Sequence, residues 1–352
     1  MGEVEQGIGA DELQLATRNH GMPLEALRYD LTPAGLHYVL IHYDVPDAQP
    51  AWRLEVGGAV RSPLLLSLED LRSRPRTTIP VTLECAGNGR ALLEPRPISQ
   101  PWLLEAVGTA EWTGTSLAGV LEEAGPTGGA VEVLFTGADR GIEGGEEQDY
   151  ARSLPLAEAL RPEVLLAYEM NGAPLPPQHG FPLRLVVPGW YGMAHVKWLR
   201  TLTVLTEPFE GYQQARGYRV RTEPDEPGEP VTRVLPRSLM IPPGIPDFMT
   251  RIRYVESGRV VLHGRAWSGL GAVTKVEVSW DGGWGWHEAT LEAAVGAFAW
   301  RGWRFEWDAP QGEFELLCRA TDESGAVQPL HPRWNVGGYR NNAVQRVRVV
   351  AR

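Results

Sequence analysis

Cysteine is scarce in this chain, with two among 352 residues, and Cys85 sits inside Glu-Cys-Ala-Gly-Asn-Gly-Arg at 84–90. Small residues after the thiol let the backbone fold closely around whatever the sulfur touches. Arg90, five positions on, can place positive charge beside it and favour the thiolate, a soft donor suited to a transition metal or to nucleophilic attack. A second concentration lies at 176–198, PPQHGFPLRLVVPGWYGMAHVKW. Singly, His179, Arg184, His195 and Lys197 read as surface or packing residues. Four cations or donors between rigid turns form a pocket for an anionic ligand, with Arg184 and Lys197 on phosphate. The third segment, TPAGLHYVLIHYDVP at 32–46, holds His42, which by itself is a core histidine. A cysteine hydrolase would need a base for Cys85, and the sequence offers no clear histidine for it.

The elements that must position these groups are short. Strands are expected in WRLEVGGAV, VEVLFTG, PLRLVVPGW and VKWLRTLTVL, from their β-branched and alternating residues. Helices are expected in LSLEDLRSRP, with Ser67 as N-cap, in TSLAGVLEEAGP, stopped by Gly125 and Pro126, and in LPLAEALRPE. Helices set around several sheets imply an α+β domain. Residues 222–247 are rich in proline and read as an extended connector without regular structure. Beyond them, regularly spaced strands separated by Gly, Asp and Ser turns imply an immunoglobulin-like β-sandwich, with a hairpin marked by Asp281-Gly282. Cys318 alternates with apolar neighbours there and belongs to the core. The expected organisation is an N-terminal extension over 1–30, a catalytic domain over 31–225 and the sandwich over 226–352.

Composition narrows the function. A net charge of −11 argues against a nucleic-acid partner, which would need clustered Lys and Arg. A stretch able to cross a membrane is not found. The acidic start MGEVEQGIGADELQ is neither a secretory nor a twin-arginine leader, so the sequence as it stands reads as cytoplasmic, or periplasmic had a leader been removed. Two cysteines exclude a disulfide framework, and the lack of C-x-x-C-H excludes a c-type haem. Thirteen tryptophans, most of them late in the chain, suit aromatic packing in β-sheets.

The segments LECAGNGR, PEVLLAYEMNGAPLPPQHGFPLRLVVPG, HVKW and RAWSG together resemble the sulfite oxidase family of molybdenum enzymes, across both domains. That resemblance implies one pyranopterin–molybdenum cofactor (molybdopterin, Moco) in the α+β domain, and a homodimer formed through the sandwich. Carried over by position, Cys85 matches the thiolate ligand of the metal. Tyr38, His42, Asp139, His179, Arg184, His195 and Lys197 match residues around the pterin and its phosphate, and Arg90, Trp102 and Tyr218 match the substrate pocket. The implied reaction is oxidation of sulfite to sulfate by oxygen-atom transfer, with electrons passed to an external carrier and no haem in the chain. Two positions depart from the family pattern. Leu40 and Gly337 stand where sulfite-oxidising relatives carry pocket arginines, and Arg340 lies close to the second. Each lost charge-assisted hydrogen bond is worth about 1.5–3 kcal/mol. The rival reading is therefore the same cofactor acting on a less anionic substrate, as an S-oxide or N-oxide reductase. A third, a cofactor-free binding protein, would leave the cation cluster without a partner.

Overall fold

Two sheets carry the chemistry of the first domain, and the computed structural model describes them within residues 7–47 and 50–352. In the first sheet Leu54–Gly58 lies between Leu64–Leu66 and Leu199–Leu205, followed by Glu132–Glu143 and Glu146–Pro155. Only the pairing of Leu54–Gly58 with Leu199–Leu205 is parallel. The second sheet joins Thr77–Glu84, Val107–Ser116, Leu165–Met170 and Ala173–Pro174, with Arg184–Val186 also on Leu165–Met170. Its first strand runs in unbroken register against the second, Thr77 opposite Gly114 through Glu84 opposite Val107. The last four residues of that strand are buried, so Cys85 emerges from a rigid, desolvated support.

The local signals hold where their chemistry is strong. Ser67 caps Leu68–Arg72: its Oγ accepts from the Asp70 N–H at 3.1 Å, and the Asp70 carboxylate accepts from the Ser67 N–H at 2.8 Å. These reciprocal bonds satisfy two otherwise orphaned donors. Leu117–Ala124 stops at Gly125, whose φ of 66° belongs to the left-handed region that glycine enters without strain. The expected third helix shrinks to the single turn Leu156–Ala159. Near the start, helix Ala10–Arg18 is pinned by the ion pair of Glu12 with Arg96, His20 pairs with Val39, and Met22 is fully buried.

After residue 247 the described chain contains strands and no helix. One sheet orders Arg237–Met240, Gly258–Trp267, Arg301–Ala309 and Thr290–Ala294. The other orders Ile245–Pro246, Arg253–Val255, Gln345–Ala351, Gly312–Asp322, Val273–Ser279 and His287–Glu288. Trp303, Trp307, Leu316 and Cys318 fill the space between them. The fold is thus α+β followed by an immunoglobulin-like sandwich.

Three expectations change. Residues 237–240, inside the proline-rich stretch, form a fully buried strand of the sandwich, paired with Gly258–Trp267. Their RSLM sequence has no proline, so the ladder closes between Pro236 and Pro242. The Asp281-Gly282 pair does lie in a hairpin, but one whose loop is longer than two residues. Asp281 accepts backbone N–H groups from Trp284 and Gly285 and folds a longer loop, with Val278 opposite His287. The tryptophans also divide: Trp300 and Trp267 are spent on the junction between lobes and Trp284 is 93% exposed. That junction is extensive, with the Thr82 N–H donating to Phe298 O and the Arg265 guanidinium donating to Leu27 O. Among the described residues no helix is long and apolar enough to cross a membrane.

Candidate functional site

Cys85 opens a turn in which nearly every polar atom is engaged. Its N–H donates to Ala106 O and its carbonyl accepts from the Asn88 N–H. The Asn88 amide donates to Glu84 Oε1 at 3.0 Å and Leu104 O at 3.1 Å, and its oxygen accepts from the Ala106 N–H. Gly87 allows the turn to close. A Cβ there would lie 2.6 Å from the Arg90 guanidinium, so only glycine lets Arg90 fold back over the loop. Directly before the cysteine, Glu84 is 2% exposed and reaches across the lobe junction. Its carboxylate accepts from Arg237 Nη1 at 2.7 Å and from Trp267 Nε1 at 2.8 Å. Arg237 also donates to Asn341 O, and the Asn341 amide donates to Gly89 O at 2.7 Å. The sandwich therefore grips the cysteine turn from behind.

Two adjoining cavities meet at this turn, both lined by Leu40, His42, Cys85 and Tyr218. The inner one is the tighter, with about 60 Å³ of free space. It gathers the other predicted cofactor residues: Tyr38, Asp139, His179, Arg184, His195 and Lys197. Arg184 donates to His179 O at 3.0 Å and His195 O at 3.3 Å, and its guanidinium lies 4.6 Å from the Trp112 ring centre. It meets carbonyls and an indole face but forms no ion pair among the described residues, and burial pulls it down to about 10. Lys197 donates to Leu40 O at 2.7 Å and Gln178 O at 3.3 Å. Burial pulls Lys197 down and pushes Asp139 up, each toward about 7.

These residues fit an anionic, hydrogen-bonding ligand. Asp139 Oδ1, His179 Nε2 and Arg184 Nε are buried with no partner among the described residues. Leaving such groups unmet costs about 1–3 kcal/mol each, which a polar ligand would relieve. Among the described residues there is also no group of three or more His, Cys, Asp or Glu able to hold a bare metal ion. A single thiol suits a metal that arrives already held by an organic chelate, as in a pterin dithiolene.

The outer cavity brings Arg90 and Trp102 together with Cys85 and Tyr218. Arg90 donates from Nε to Gly337 O at 2.8 Å and from Nη1 to Gln100 O at 3.1 Å, and stands 5.1 Å from the Tyr339 ring centre. Tyr218 adopts φ 36°, an uncommon backbone state for a residue with a side chain. Its hydroxyl lies 2.5 Å from His42 Nε2. Burial holds the phenol well above its ordinary range. Burial, with Lys197 and Arg90 nearby, drives His42 down to about 3. Both groups are neutral, and the imidazole tautomer sets the direction of the bond.

Three details refine the sequence reading. The Cys85 thiol is held up by burial, and that outweighs the lowering by Arg90, so Arg90 alone does not supply a thiolate. His195 is not a cationic donor. Its Nδ1 accepts from the Val187 N–H, Nε2 faces Trp190 O at 3.1 Å, and burial lowers it to about 3. Arg340 lies outside both cavities, with φ 58°, its N–H on Ala86 O and its guanidinium 3.6 Å from Glu229. It does not replace the arginine absent at Gly337. The sequence reading also passed over His37, which meets His179 edge to face at 5.4 Å, and Arg152, whose guanidinium lies 5.6 Å from the Tyr218 ring centre. Tyr339, Glu84 and Arg237 were missed as well. Gly108 makes room for His37, since a Cβ there would lie 2.6 Å from its ring.

Comparison with known proteins agrees with this chemistry. Residues 42–213 match the family model of the oxidoreductase molybdopterin-binding domain, and residues 243–352 match that of the Mo-co oxidoreductase dimerisation domain. The chain is 41% identical over 341 residues to mitochondrial sulfite oxidase of Rattus norvegicus, covering 91% of this chain and 61% of that one. It is 38% identical over 336 residues to sulfite oxidase of Gallus gallus, covering 90% and 72%. Against an NADH nitrate reductase of Brassica napus the identity is 33% over 362 residues, covering 94% and 40%. The chain thus spans about three fifths of the mammalian relatives it matches. Among solved structures, the sulfane dehydrogenase SoxCD of Paracoccus pantotrophus superposes with a TM-score of 0.81 at 27% identity, covering 98% of this chain and 92% of that one.

Proposed function

Because the chain belongs to the sulfite oxidase family of molybdenum-cofactor oxidoreductases, we propose that it oxidises sulfite to sulfate and passes the electrons to a separate one-electron carrier. The observation that carries this reading is the pair of cavities meeting at Cys85, one rich in unmet donors and cations, the other holding Arg90. When bound, the cofactor supplies a two-electron centre able to transfer an oxygen atom. Cys85 would be the protein's ligand to its metal. Arg184, Lys197 and His179 would hold its phosphate and ring polar groups, using hydrogen-bonding capacity that the protein leaves open. His195, neutral and bonded to backbone at both nitrogens, would act as a wall that keeps Arg184 in place.

In the outer cavity, Arg90 would hold the oxyanion. Its guanidinium is oriented in advance by two carbonyls and the Tyr339 ring, so little ordering remains when the anion binds. The Tyr218 hydroxyl, fixed by His42, would orient the oxygen that moves. Trp102 would limit water on the remaining side. The match to a dimerisation domain supports a homodimer formed through the sandwich.

The test is to purify the protein, quantify molybdenum and pterin, and measure sulfite turnover with ferricyanide as acceptor. Expected are close to one molybdenum and one pterin per chain and saturable turnover, with Cys85→Ser retaining pterin but losing turnover at least a thousandfold. A molybdenum-replete preparation without metal, or one with metal and no sulfite turnover, refutes the reading. A second reading, reduction of an S-oxide or N-oxide, draws on the apolar Leu40 in the outer cavity. It predicts turnover of those substrates with a reduced viologen donor.

A further inference from the structure

The outer cavity has more room, and less positive charge, than sulfite calls for. It offers about 290 Å³ of free space, whereas sulfite is one sulfur with three oxygens. Arg90 is the one permanently cationic side chain among its described lining residues. The lining also includes Glu143, whose carboxylate accepts from Gln213 Nε2 at 2.5 Å and from the Tyr43 hydroxyl at 3.3 Å. His42 carries no charge there.

Hydrocarbon shares the remaining wall with the polar Asn19, Ser99 and Gln100. Leu15 comes from the N-terminal helix, Leu40 and Ile41 from the segment after His37, and Ile142 from the strand Glu132–Glu143, with the Trp102 and Tyr339 rings beside them. Leu40 lines both cavities, and its carbonyl is held by Lys197 Nζ. An apolar side chain is thus fixed at the junction beside Cys85.

A dianion placed here would lose its water with one guanidinium to compensate, which is unfavourable in a partly desolvated space. A monoanion carrying an organic group fits both features. Its charge meets Arg90, and its carbon substituent meets the leucine and isoleucine wall. Oxygen-atom transfer to sulfur also requires that the sulfur keep a lone pair. An organic sulfinate, in which carbon replaces one oxygen of sulfite, meets all three conditions.

We propose that the outer cavity takes small organic sulfinates in addition to sulfite and that the protein oxidises them to sulfonates. This inference rests on the oxidoreductase reading above. In the balanced reaction, sulfinate and water give sulfonate, two protons and two electrons. A new sulfur–oxygen bond forms to oxygen derived from water, the protons leave to solvent and the carbon–sulfur bond stays intact. Two equivalents of a one-electron acceptor such as ferricyanide would take the two electrons, the bound cofactor being the two-electron centre that would supply this chemistry.

The experiment uses the molybdenum-loaded protein with sulfite and with methane-, ethane- and propanesulfinate, ferricyanide as acceptor, and sulfonate identified by NMR. Turnover is expected for all four, with kcat/KM rising about fourfold per added methylene, as burying each against hydrocarbon predicts. Leu40→Arg is expected to raise kcat/KM for sulfite at least tenfold and lower it for propanesulfinate at least tenfold. Calorimetry with propanesulfonate, which cannot turn over, should show at least tenfold weaker binding to that variant at equal molybdenum content. Should Leu40→Arg fail to fold, Ile142→Ser provides a second readout at a position 73% exposed; it should flatten the chain-length series. Sulfite turnover without any sulfinate turnover overturns the inference and leaves the sulfite reading standing. No turnover of either with a full complement of molybdenum overturns both. A flat series in the unsubstituted protein also overturns the inference.

Discussion

Replacing Arg237 with methionine strips Glu84 of its counter-ion while keeping much of the side-chain volume. Arg237 is 1% exposed and Glu84 2%, so the stranded carboxylate cannot turn to water. Its remaining donors are the Trp267 indole and the Asn88 amide. Breaking a buried ion pair from one side costs about 3–5 kcal/mol, because it leaves an uncompensated charge. At about 2–4 °C per kcal/mol, Tm should fall by roughly 6–20 °C. The double variant Arg237→Met with Glu84→Gln removes both charges, and a buried pair is about neutral against an uncharged replacement. It should therefore recover at least about 2 kcal/mol of the loss, a non-additivity that a double-mutant cycle reads directly. Denaturant midpoints of the two single variants, the double variant and the parent supply the cycle. Because Glu84 precedes Cys85, the single variants should also retain less molybdenum. A loss below about 1 kcal/mol for Arg237→Met, or strict additivity in the double variant, refutes the argument that this pair braces the cysteine turn.

Other perturbations test separate links. Arg184→Lys keeps the charge but loses the fork of donors and the contact with Trp112, so pterin retention should fall about tenfold or more in an equilibrium release assay. Tyr218→Phe removes the bond to His42; cofactor content should hold while kcat/KM for sulfite falls at least tenfold. Gly87→Ala drives a methyl group into the Arg90 guanidinium, and the expected result is a raised KM for sulfite with little change in Tm. Burial lowers His37 to about 4 and His195 to about 3, so the unfolded chain binds protons that the native state refuses. Stability should be full above pH ~6.5 and decline as pH falls toward 4, at about 1.4 kcal/mol per pH unit for each histidine. Urea midpoints that stay level from pH 7 to 5 would contradict this.

The sequence announced features whose causes are local. Ser67 and Gly125 bound their helices through bonds made within a few residues. The turn after Cys85 and the donors of 176–198 were legible because glycine, proline and cation spacing act over short distances. What stayed hidden depends on distant partners. Glu84 looks like an ordinary strand residue until Arg237 and Trp267 arrive from the other lobe. His195 reads as a cation until burial and two backbone groups neutralise it. Arg340 sits close to Gly337 along the chain, yet its backbone geometry sends the guanidinium to Glu229. The buried strand at 237–240 was masked by the prolines on either side, which stop a ladder only where they stand.

The grip of the sandwich on the cysteine turn has a consequence for biogenesis. Asn341 holds Gly89, Gly337 holds Arg90, and Arg237 neutralises Glu84. A polypeptide in which residues 337–341 are not yet in place therefore has neither a finished thiol loop nor an aligned guanidinium. The prosthetic group's thiol ligand is therefore expected to become ordered only after residues 337–341 have docked onto its loop.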